Sequence, residues 1–352
     1  GGEGTRLRPL TSTVPKPVVP LVDRPFIVFM LDWLRRHGVD EVVLSCGSGR
    51  LADGVRGVLG EGDGLGMRLC YVEEPEPLGT GGALKYAEDL LQERFLMLNG
   101  DVLTDIDLTA QIAQHEATGA RGTLALTPVE DPSNYGLVRT SEDFAVTGFV
   151  EKPSADQIDT NRISAGAYVL ERSVLDLLEP GRPASIERDV FPRLVGDGLY
   201  GYMADGYWLD IGTPERYLTG TFDILDGTVA TSVSLGGADA GEGRVVGPAL
   251  VAPGCRIGAG ARVGGRVVLR EGVSVGAHTT IERAVVLEGA TIGERCSLHG
   301  CIVGPGVTIA DGCVVDGLSV LGEGVSVGAG NVLSHGARLF PGLTLPDHSI
   351  AF

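Results

Sequence analysis

The chain opens on a stretch rich in glycine and proline, GGEGTRLRPLTSTVPKP, which occupies residues 1–17. Three glycines in four positions let the backbone turn tightly and bring its N–H groups close to a ligand, and N–H groups that point the same way form a nest for anions. Arg6 supplies a planar fork of donors that matches phosphate, and Lys16, held between Pro15 and Pro17, supplies a point charge. The stretch therefore predicts a phosphate-binding loop, although three glycines alone are also typical of a flexible surface turn.

Two common phosphate-binding signatures do not fit this loop. A Walker loop needs Gly-Lys followed by Ser or Thr, and a dinucleotide fingerprint needs a third glycine at the Gly-x-Gly-x-x-Gly spacing; neither occurs between residues 1 and 17. A phosphate loop of an α/β sheet usually follows a buried strand. We therefore expect a short apolar strand before Gly1.

The composition of the 352-residue chain restricts its size class and its partners. A chain of this length is expected to hold two domains, each with its own core. The formal charge of −18 argues against nucleic acid or an anionic membrane as a partner. An acidic chain that binds a triphosphate needs local cations and a metal, and its only lysines are Lys16, Lys85 and Lys152.

The cysteines and the apolar runs indicate in which cellular compartment the protein is expected. The sequence has no signal-peptide pattern and no apolar run long enough to span a membrane. No paired metal-ligand spacing occurs among the six cysteines, Cys46, Cys70, Cys255, Cys296, Cys301 and Cys313. Reduced thiols in a cytoplasmic protein are the simplest interpretation.

Alternating helix and strand patterns follow the opening loop. Apolar periodicity predicts helices over residues 25–36, 82–91 and 108–117. Short apolar runs predict strands over residues 41–46, 69–72 and 95–98. Such alternation is typical of an α/β sheet with a doubly wound character, whose ligands usually bind at the carboxyl ends of the strands.

Polar motifs stand where the predicted strands end. The segment EEPEPLGTGG at residues 73–82 opens a helix with glycines, although an acidic surface loop has the same composition. Asp101 in NGDV and Asp210 in WLDIGTP each follow an apolar strand, and a carboxylate in that position needs a cation. Mg²⁺ bound with a triphosphate is the natural candidate; the alternative is an aspartate that begins a turn.

Adjacent opposite charges end the strand in FVEKP at residues 149–153. A surface ion pair between Glu151 and Lys152 is one interpretation. The other assigns Lys152 to a phosphate group and Glu151 to the hydroxyls of a sugar.

Taken together and in this order, the motifs resemble the signature of the sugar-1-phosphate nucleotidyltransferases, also called nucleotide-sugar pyrophosphorylases. Between residue 1 and about residue 220 the resemblance is carried by the opening loop, EPLGT, NGDV, YG, FVEKP, SIERDVFP and WLDIGTP. Within the family the likeness is greatest to the members that form GDP-mannose. That group usually has Ile-Asn-Ala-Gly where this chain has ISAG at residues 163–166, so the identity of the sugar stays open.

The resemblance implies a Rossmann-like nucleotidyltransferase domain over residues 1–225, a linker over residues 226–244 and Mg²⁺ as cofactor. With the motifs above, it assigns nucleotide binding to Gly1, Gly2, Gly4, Thr5, Arg6, Glu74, Gly79, Thr80 and Asn99. It assigns binding of the sugar phosphate to Gly136, Glu151, Lys152, Asn161 and Ser164. The expected metal ligands are Asp101 and Asp210, and the expected catalytic cations are Arg6, Lys16 and Lys152.

Beyond residue 244 aliphatic residues recur every six positions, with two steps of five. These anchors are Val245, Val251, Ile257, Val263, Leu269, Val275, Ile281, Leu287, Ile292, Leu298, Val303, Ile309, Val315, Leu321, Val327, Leu333, Leu339 and Leu345. A hexapeptide period predicts a β-helix over residues 245–352 whose triangular coils take three repeats each, which gives about six coils. Four of the cysteines precede an anchor by two positions, so they are expected inside the coil. By resemblance the helix is left-handed, and its open ends and flat faces favour a homo-oligomer.

The reaction that the resemblance implies is a single in-line displacement. A phosphate oxygen of a sugar 1-phosphate attacks the α-phosphorus of a nucleoside triphosphate, and pyrophosphate leaves. The protein must align two anions and neutralise the charge between them, so the expected partners are a nucleoside triphosphate and a sugar 1-phosphate.

Three alternatives stay open. The first is the same reaction with dTTP, UTP or ATP and glucose 1-phosphate. The second is an added acyltransferase in the β-helix, which needs a histidine base and a cationic coenzyme A site; residues 245–352 contain four histidines but no lysine. The third is a non-catalytic regulatory homologue, which should have lost site residues, whereas the catalytic cations and both aspartates are present.

The nucleotide base is predicted from Glu74, five residues before Gly79, where family members that bind thymine carry a Gln. Guanine offers two adjacent donors, and a carboxylate is acceptor-only, so it can accept from both. Thymine and uracil offer one donor flanked by acceptors. We therefore expect GTP, with mannose 1-phosphate as its partner; the alternative is that Glu73, Glu74 and Glu76 only solvate a loop.

Overall fold

The computed structural model describes residues 4–236 and 241–351, so Gly1 and Gly2 of the predicted phosphate loop lie outside the described residues. The α-helices within this part of the chain are α1 Phe26–Arg36, α2 Arg50–Leu59, α3 Gly79–Tyr86, α4 Leu108–Thr118, α5 Phe191–Leu194 and α6 Pro214–Leu225. The strands up to residue 210 are β1 Pro20–Leu21, β2 Arg24–Pro25, β3 Glu41–Cys46, β4 Arg68–Glu73, β5 Arg94–Leu98, β6 Val102–Thr104, β7 Gly122–Pro128, β8 Gly136–Thr140, β9 Val146–Glu151, β10 Arg162–Glu171, β11 Leu199–Met203 and β12 Trp208–Asp210.

The chain forms two compact units that do not follow the order of the sequence. One is Met30–Trp208; the other joins the described residues of Gly2–Phe29 to those of Leu209–Phe352. The opening loop therefore belongs to the unit that contains the C-terminal repeats. The domain boundaries 1–225, 226–244 and 245–352 remain a prediction.

Local signals set the start of helix α6. The Thr213 side chain caps α6 by accepting a hydrogen bond from Arg216 N, and proline at the first helical position lacks only an N–H that would have no partner there. In α1, Trp33 is 2% exposed and its indole donates to Ile106 O at 2.9 Å, so it is a core residue. Helix α3 differs from the expectation: it begins at Gly79 and ends at Tyr86, and Glu88–Leu90 forms a 3₁₀ turn instead of continuing it.

Strand β10 is the centre of the sheet in the Met30–Trp208 unit. It runs antiparallel to β5, β7 and β8, whereas β11 runs parallel to β7 and β4 runs parallel to β3. The predicted α/β class is confirmed. The antiparallel pairing was not specified by the alternation of helices and strands, and it brings the end of β5 to the middle of β10, where Asn99 N donates to Gly166 O at 2.8 Å.

The C-terminal repeats form a parallel β-solenoid of three six-stranded sheets, consistent with a left-handed β-helix. Its strands are β13 Arg244–Val246, β14 Ala249–Val251, β15 Arg256–Ile257, β16 Arg262–Gly264, β17 Val267–Leu269, β18 Ser274–Val275, β19 Thr280–Glu282, β20 Val285–Val286, β21 Thr291–Ile292, β22 Ser297–His299, β23 Ile302–Val303, β24 Thr308–Ile309, β25 Val314–Val315, β26 Val320–Leu321, β27 Ser326–Val327, β28 Val332–Leu333, β29 Arg338–Leu339 and β30 Thr344–Leu345. Three strands complete one coil, so the prediction of about six coils is confirmed.

The register corrects one anchor. Leu269 pairs with Val286, and Val286 pairs with Val303, so Val286 rather than Leu287 holds the interior position. The shorter step falls between Ile281 and Val286, because the corner there is one residue shorter. The four coil cysteines all lie in the solenoid core, as predicted, and all six cysteines of the chain are free thiols.

A bilayer-spanning segment would require a long apolar helix. None of the helices in the described ranges has that length and apolar character.

Candidate active site

The opening loop is a series of short 3₁₀ turns, Thr5–Leu7, Leu10–Ser12 and Lys16–Val18. Gly4 adopts the left-handed conformation with φ 63°, which glycine adopts without steric cost. Thr11 Oγ1 donates to Gly4 O at 2.7 Å, and a Cβ on Gly4 would lie 3.1 Å from the Cβ of Lys16. The loop therefore folds back on itself, and the absence of a side chain at Gly4 lets the segments that carry Arg6 and Lys16 come together.

Arg6 and Asp210 meet at Gly212 within the same unit. A Cβ on Gly212 would lie 2.9 Å from Arg6 Nη2 and 3.3 Å from Asp210 Oδ1. Arg216, in the first turn of α6, places Nη1 3.8 Å from Asp210 Oδ2, and the Asp210 side chain is only 16% exposed. The structure thus brings a predicted catalytic cation next to a predicted metal ligand, and it adds Arg216, which the sequence patterns did not single out.

Replacing Gly212 with alanine is expected to lower kcat/KM by about ten- to a hundredfold, because the new methyl must displace the Arg6 guanidinium and misplacement of a catalytic group by about 1 Å can cost that much. The guanidinium is the far end of a flexible side chain, so the melting temperature should stay unchanged. Steady-state kinetics and thermal unfolding measure the two effects. In the control Gly57→Ala the added Cβ meets nothing within 4 Å, and activity should be unaffected. Normal kinetics in Gly212→Ala would show that the placement of Arg6 is unimportant.

Glu74 lies in the loop after β4 of the other unit and is buried, at 6% exposure. Its Oε1 accepts from Ser45 Oγ at 2.8 Å, and its Oε2 accepts from Leu78 N at 2.9 Å. Both oxygens therefore stabilise the loop that leads to α3. Each carboxylate oxygen can accept a further hydrogen bond, so recognition of a base by Glu74 remains a prediction.

The start of α3 packs tightly against residues 182–186. Gly79 adopts φ 72°, and a Cβ there would lie 2.6 Å from Ala184 O. Ala184 O also accepts from Gly81 N at 2.9 Å and from Gly82 N at 3.2 Å. These two amides are used within the protein, so the glycines of α3 serve close backbone packing. Thr80 is exposed, and its Oγ1 donates to Glu187 Oε2 at 2.6 Å.

Asn99 and Ser164 lie near Tyr168 on β10. Gly166 adopts φ 75°, and a Cβ there would lie 2.8 Å from Asn99 Nδ2. Ser164 is buried, and its Oγ donates to the Tyr168 hydroxyl at 3.0 Å. Burial, followed by the charge of Glu187, raises the pKa of the Tyr168 phenol, which stays protonated. The residue that departs from the GDP-mannose pattern thus belongs to a buried polar group of the sheet.

Glu151 and Lys152 end β9. Burial, followed by the negative charge of Glu187, raises the pKa of the Glu151 carboxyl. A Cβ on Gly136 would lie 3.2 Å from Glu151 Oε2, so Gly136 makes room for this carboxylate. Lys152 is exposed and has φ 52°, a left-handed conformation that costs a residue other than glycine about 1 kcal/mol. Such strain at a non-glycine residue motivates a functional hypothesis for its side chain.

The remaining predicted residues are dispersed. Thr5 begins the first 3₁₀ turn, Asn161 is exposed just before β10, and Asp101 is half-buried in the turn between β5 and β6. Asp101 and Asp210 belong to different units. Across residues 4–236 and 241–351, no group of three or more His, Cys, Asp or Glu side chains is arranged to hold a metal ion. The assignment of Asp101 and Asp210 as metal ligands therefore stays a prediction.

Glu187 is the functional candidate that sequence reasoning missed. It follows Ser185, whose Oγ accepts from Arg188 N and so caps the short turn Ile186–Val190. The signal was present, because SIERDVFP is one of the motifs that carry the resemblance. Only the fold brings Glu187 to Thr80, because 107 positions of the sequence separate the two residues.

Comparison with known proteins assigns the class. Residues 1–227 match the family model described as Nucleotidyl transferase, and residues 245–347 match the model described as GMPPB C-terminal domain. Since the first match alone spans more than half of the chain, the protein belongs to the nucleotidyl transferase family.

Two curated relatives have names that specify the reaction more closely than the family does. The chain is 38% identical over 298 residues to the mannose-1-phosphate guanylyltransferase of Mycobacterium tuberculosis, covering 80% of this chain and 81% of that protein. It is 41% identical over 227 residues to the mannose-1-phosphate guanyltransferase of Schizosaccharomyces pombe, covering 63% and 61%.

Among solved structures, HddC from Yersinia pseudotuberculosis is similar with a TM-score of 0.54 and 29% identity, covering 62% of this chain and 94% of that one. The same protein complexed with GMP-PN gives a TM-score of 0.53 and 28% identity, with the same coverage.

Proposed function

We propose that this nucleotidyl transferase joins GTP and mannose 1-phosphate, giving GDP-mannose and pyrophosphate. The observation that carries the proposal is the identity of 38% with a mannose-1-phosphate guanylyltransferase over most of both chains. The Arg6, Gly212 and Asp210 contact supports it, because a cation and a carboxylate stand together beside the loop proposed to hold the triphosphate.

The site residues are proposed to act mainly by alignment and charge neutralisation. The loop that includes Gly4 and Thr5 holds the triphosphate, while Arg6 and Lys16 stabilise the α-phosphate and the departing pyrophosphate. Lys152 holds the sugar phosphate, which the triphosphate would otherwise repel, and Glu151 accepts hydrogen bonds from sugar hydroxyls. Gly136, Asn161 and Ser164 line the sugar side, and Gly79, Thr80 and Asn99 the nucleotide side.

Nucleotidyl transferases are generally Mg²⁺-dependent. We propose Asp101 and Asp210 as the protein ligands, because each offers carboxylate oxygens where a strand ends. When bound, Mg²⁺ would neutralise charge on the phosphate oxygens.

The decisive experiment is a pyrophosphate-release assay on the full chain. It pairs GTP, dTTP, UTP and ATP with mannose 1-phosphate and glucose 1-phosphate. The proposal expects GTP with mannose 1-phosphate to have the highest kcat/KM. A preference for dTTP or for glucose 1-phosphate would contradict it, and no pyrophosphate from any pair would favour a regulatory homologue.

Glu74→Gln is expected to lower kcat/KM for GTP by about ten- to a hundredfold and to narrow the preference for GTP over UTP. The reason is that an amide offers one acceptor and one donor group, so it cannot accept from both guanine donors. The kinetics of the variant with all four nucleotides measure this. If the nucleotide ranking is unchanged while the melting temperature falls, Glu74 only stabilises its loop through Ser45 and Leu78.

We further propose a homo-oligomer and a cytoplasmic location. Phe340 and Leu343, in the last coils of the solenoid, are 50% and 40% exposed, and the last strands of a solenoid leave open edges. A second copy of the chain would cover this surface. Light scattering measures the molar mass of wild type and of the double variant Phe340→Ser, Leu343→Ser, and the variant is expected to have the lower mass. Equal masses would contradict contact through these residues. Free thiols fit a reducing compartment.

A further inference from the structure

The carboxylate of Glu187 lies between two parts of the candidate site in the Met30–Trp208 unit. Its Oε2 accepts hydrogen bonds from Thr80 Oγ1 at 2.6 Å and from Ser185 Oγ at 2.7 Å. The Thr80 hydroxyl in turn accepts from Ile186 N at 3.0 Å. Hydrogen bonds to a charged acceptor are about twice as strong as neutral ones, so this carboxylate fixes the orientation of Thr80.

The backbone around this contact is equally constrained. Ala184 N donates to Leu78 O at 2.8 Å, and Ala184 O accepts from the amides of Gly81 and Gly82. A Cβ on Gly79 would lie 2.6 Å from Ala184 O, so the two segments leave no room between them. The first turn of α3 and residues 184–187 therefore form one connected element, and a shift of one displaces the other.

The turn Ile186–Val190, which carries Glu187, packs against β9, and β9 ends at Glu151. Burial is the main cause and the Glu187 charge the second cause of the raised pKa of Glu151, whereas Lys152 and Arg188 act on Glu151 in the opposite direction. The same charge contributes to the raised pKa of Tyr168, whose hydroxyl is hydrogen bonded to Ser164. The Glu187 carboxylate is thus hydrogen bonded to Thr80 on the proposed nucleotide side. On the proposed sugar side its charge acts on Glu151.

We propose that Glu187 is a positioning residue that couples the two substrates, because it is hydrogen bonded to Thr80 and its turn packs against the strand that ends at Glu151. The role rests on the proposed function of these residues. A nucleotide that contacts Thr80 fixes the position of the Glu187 charge. That position determines how readily Glu151 stays ionised, and only an ionised carboxylate offers acceptor oxygens alone to the sugar hydroxyls. Coupling of this kind is reciprocal between the two ligands.

Calorimetry on the full chain tests the coupling without turnover. The affinity for mannose 1-phosphate is measured with and without a non-hydrolysable GTP analogue and Mg²⁺. We expect a change of about fivefold or more in wild type. Thr80→Val removes the bridging hydroxyl and keeps the shape, so the analogue should change the affinity for mannose 1-phosphate by less than about twofold. Thr80→Ser keeps the hydroxyl and should retain the wild-type change. Thr118→Val is the matched control, because the Thr118 hydroxyl donates to the backbone carbonyls of Gln114 and His115 within α4.

The pH dependence of the KM for mannose 1-phosphate provides an independent test of the coupling. Glu187→Gln keeps an oxygen that can accept from Thr80 but removes the charge. Since that charge raises the pKa of Glu151, its loss lowers that pKa, and the ionised form persists to lower pH. The rise in the KM for mannose 1-phosphate on the acid side of the pH profile should therefore move to lower pH. Glu179→Gln, which removes an exposed charge paired with Arg182, should leave the profile in place.

The outcomes distinguish a failure of the substrate coupling from a failure of the proposed function. A wild type that releases pyrophosphate but shows equal affinities with and without the analogue overturns the coupling alone. An unshifted acid limb in Glu187→Gln, or coupling that persists in Thr80→Val, also overturns it. A wild type that binds neither ligand overturns the proposed function, and the role of Glu187 with it.

Discussion

Asp101→Asn and Asp210→Asn are each expected to lower kcat by on the order of 10²–10³-fold at ordinary Mg²⁺ concentrations. An amide has nearly the same shape as the carboxylate but carries no charge, so it binds a divalent cation far more weakly. Raising the Mg²⁺ concentration should recover part of the activity of each variant. Pyrophosphate release across a Mg²⁺ titration measures both effects.

Thermal unfolding separates this loss from a loss of fold. Asp101→Asn and Asp210→Asn should melt within a few degrees of wild type, because the substitutions change little volume. Asp89→Asn is the matched control, since the Asp89 side chain is fully exposed and pairs with Arg172 only at 3.9 Å. Near-normal kcat in either variant would make that aspartate structural and remove it from the proposed metal site.

Lys152→Met is expected to raise the KM for the sugar 1-phosphate by on the order of 10²-fold while the KM for GTP changes little. The methionine retains the linear stem and removes the charge that would offset repulsion between two phosphorylated substrates. Initial rates with each substrate varied at saturation of the other distinguish the two constants. A rise confined to the KM for GTP would assign Lys152 to the nucleotide instead.

Two further variants separate the charge of Lys152 from its strained backbone. Lys152→Gly removes the side chain and relieves the left-handed conformation at φ 52°, so it should be at least as stable as wild type and remain impaired. Lys85→Met is the lysine control, because Lys85 forms an ion pair with Glu88 at 2.8 Å along α3. Full activity in Lys152→Gly would show that the lysine has no role in binding.

The sequence by itself determined the features that depend on short-range order. The six-residue period predicted the solenoid and its number of coils, because each coil repeats one pattern of interior and corner positions. Local signals likewise predicted the helix that the structure places at Phe26–Arg36 and the strand at Glu41–Cys46. The family motifs identified the class, since their residues and order are properties of the chain alone.

Only the tertiary structure decided which of these residues meet. Glu74 carries two hydrogen bonds to its own loop, Thr80 is held by Glu187, and Arg6 lies against Gly212 beside Asp210. The partners in the last two contacts are separated by more than 100 positions in the sequence. Local propensity contains no information on such pairs, because burial and close backbone packing select them only when distant segments come together. The glycines illustrate this physical reason: the sequence shows that a side chain is absent, and the fold shows which group occupies the space.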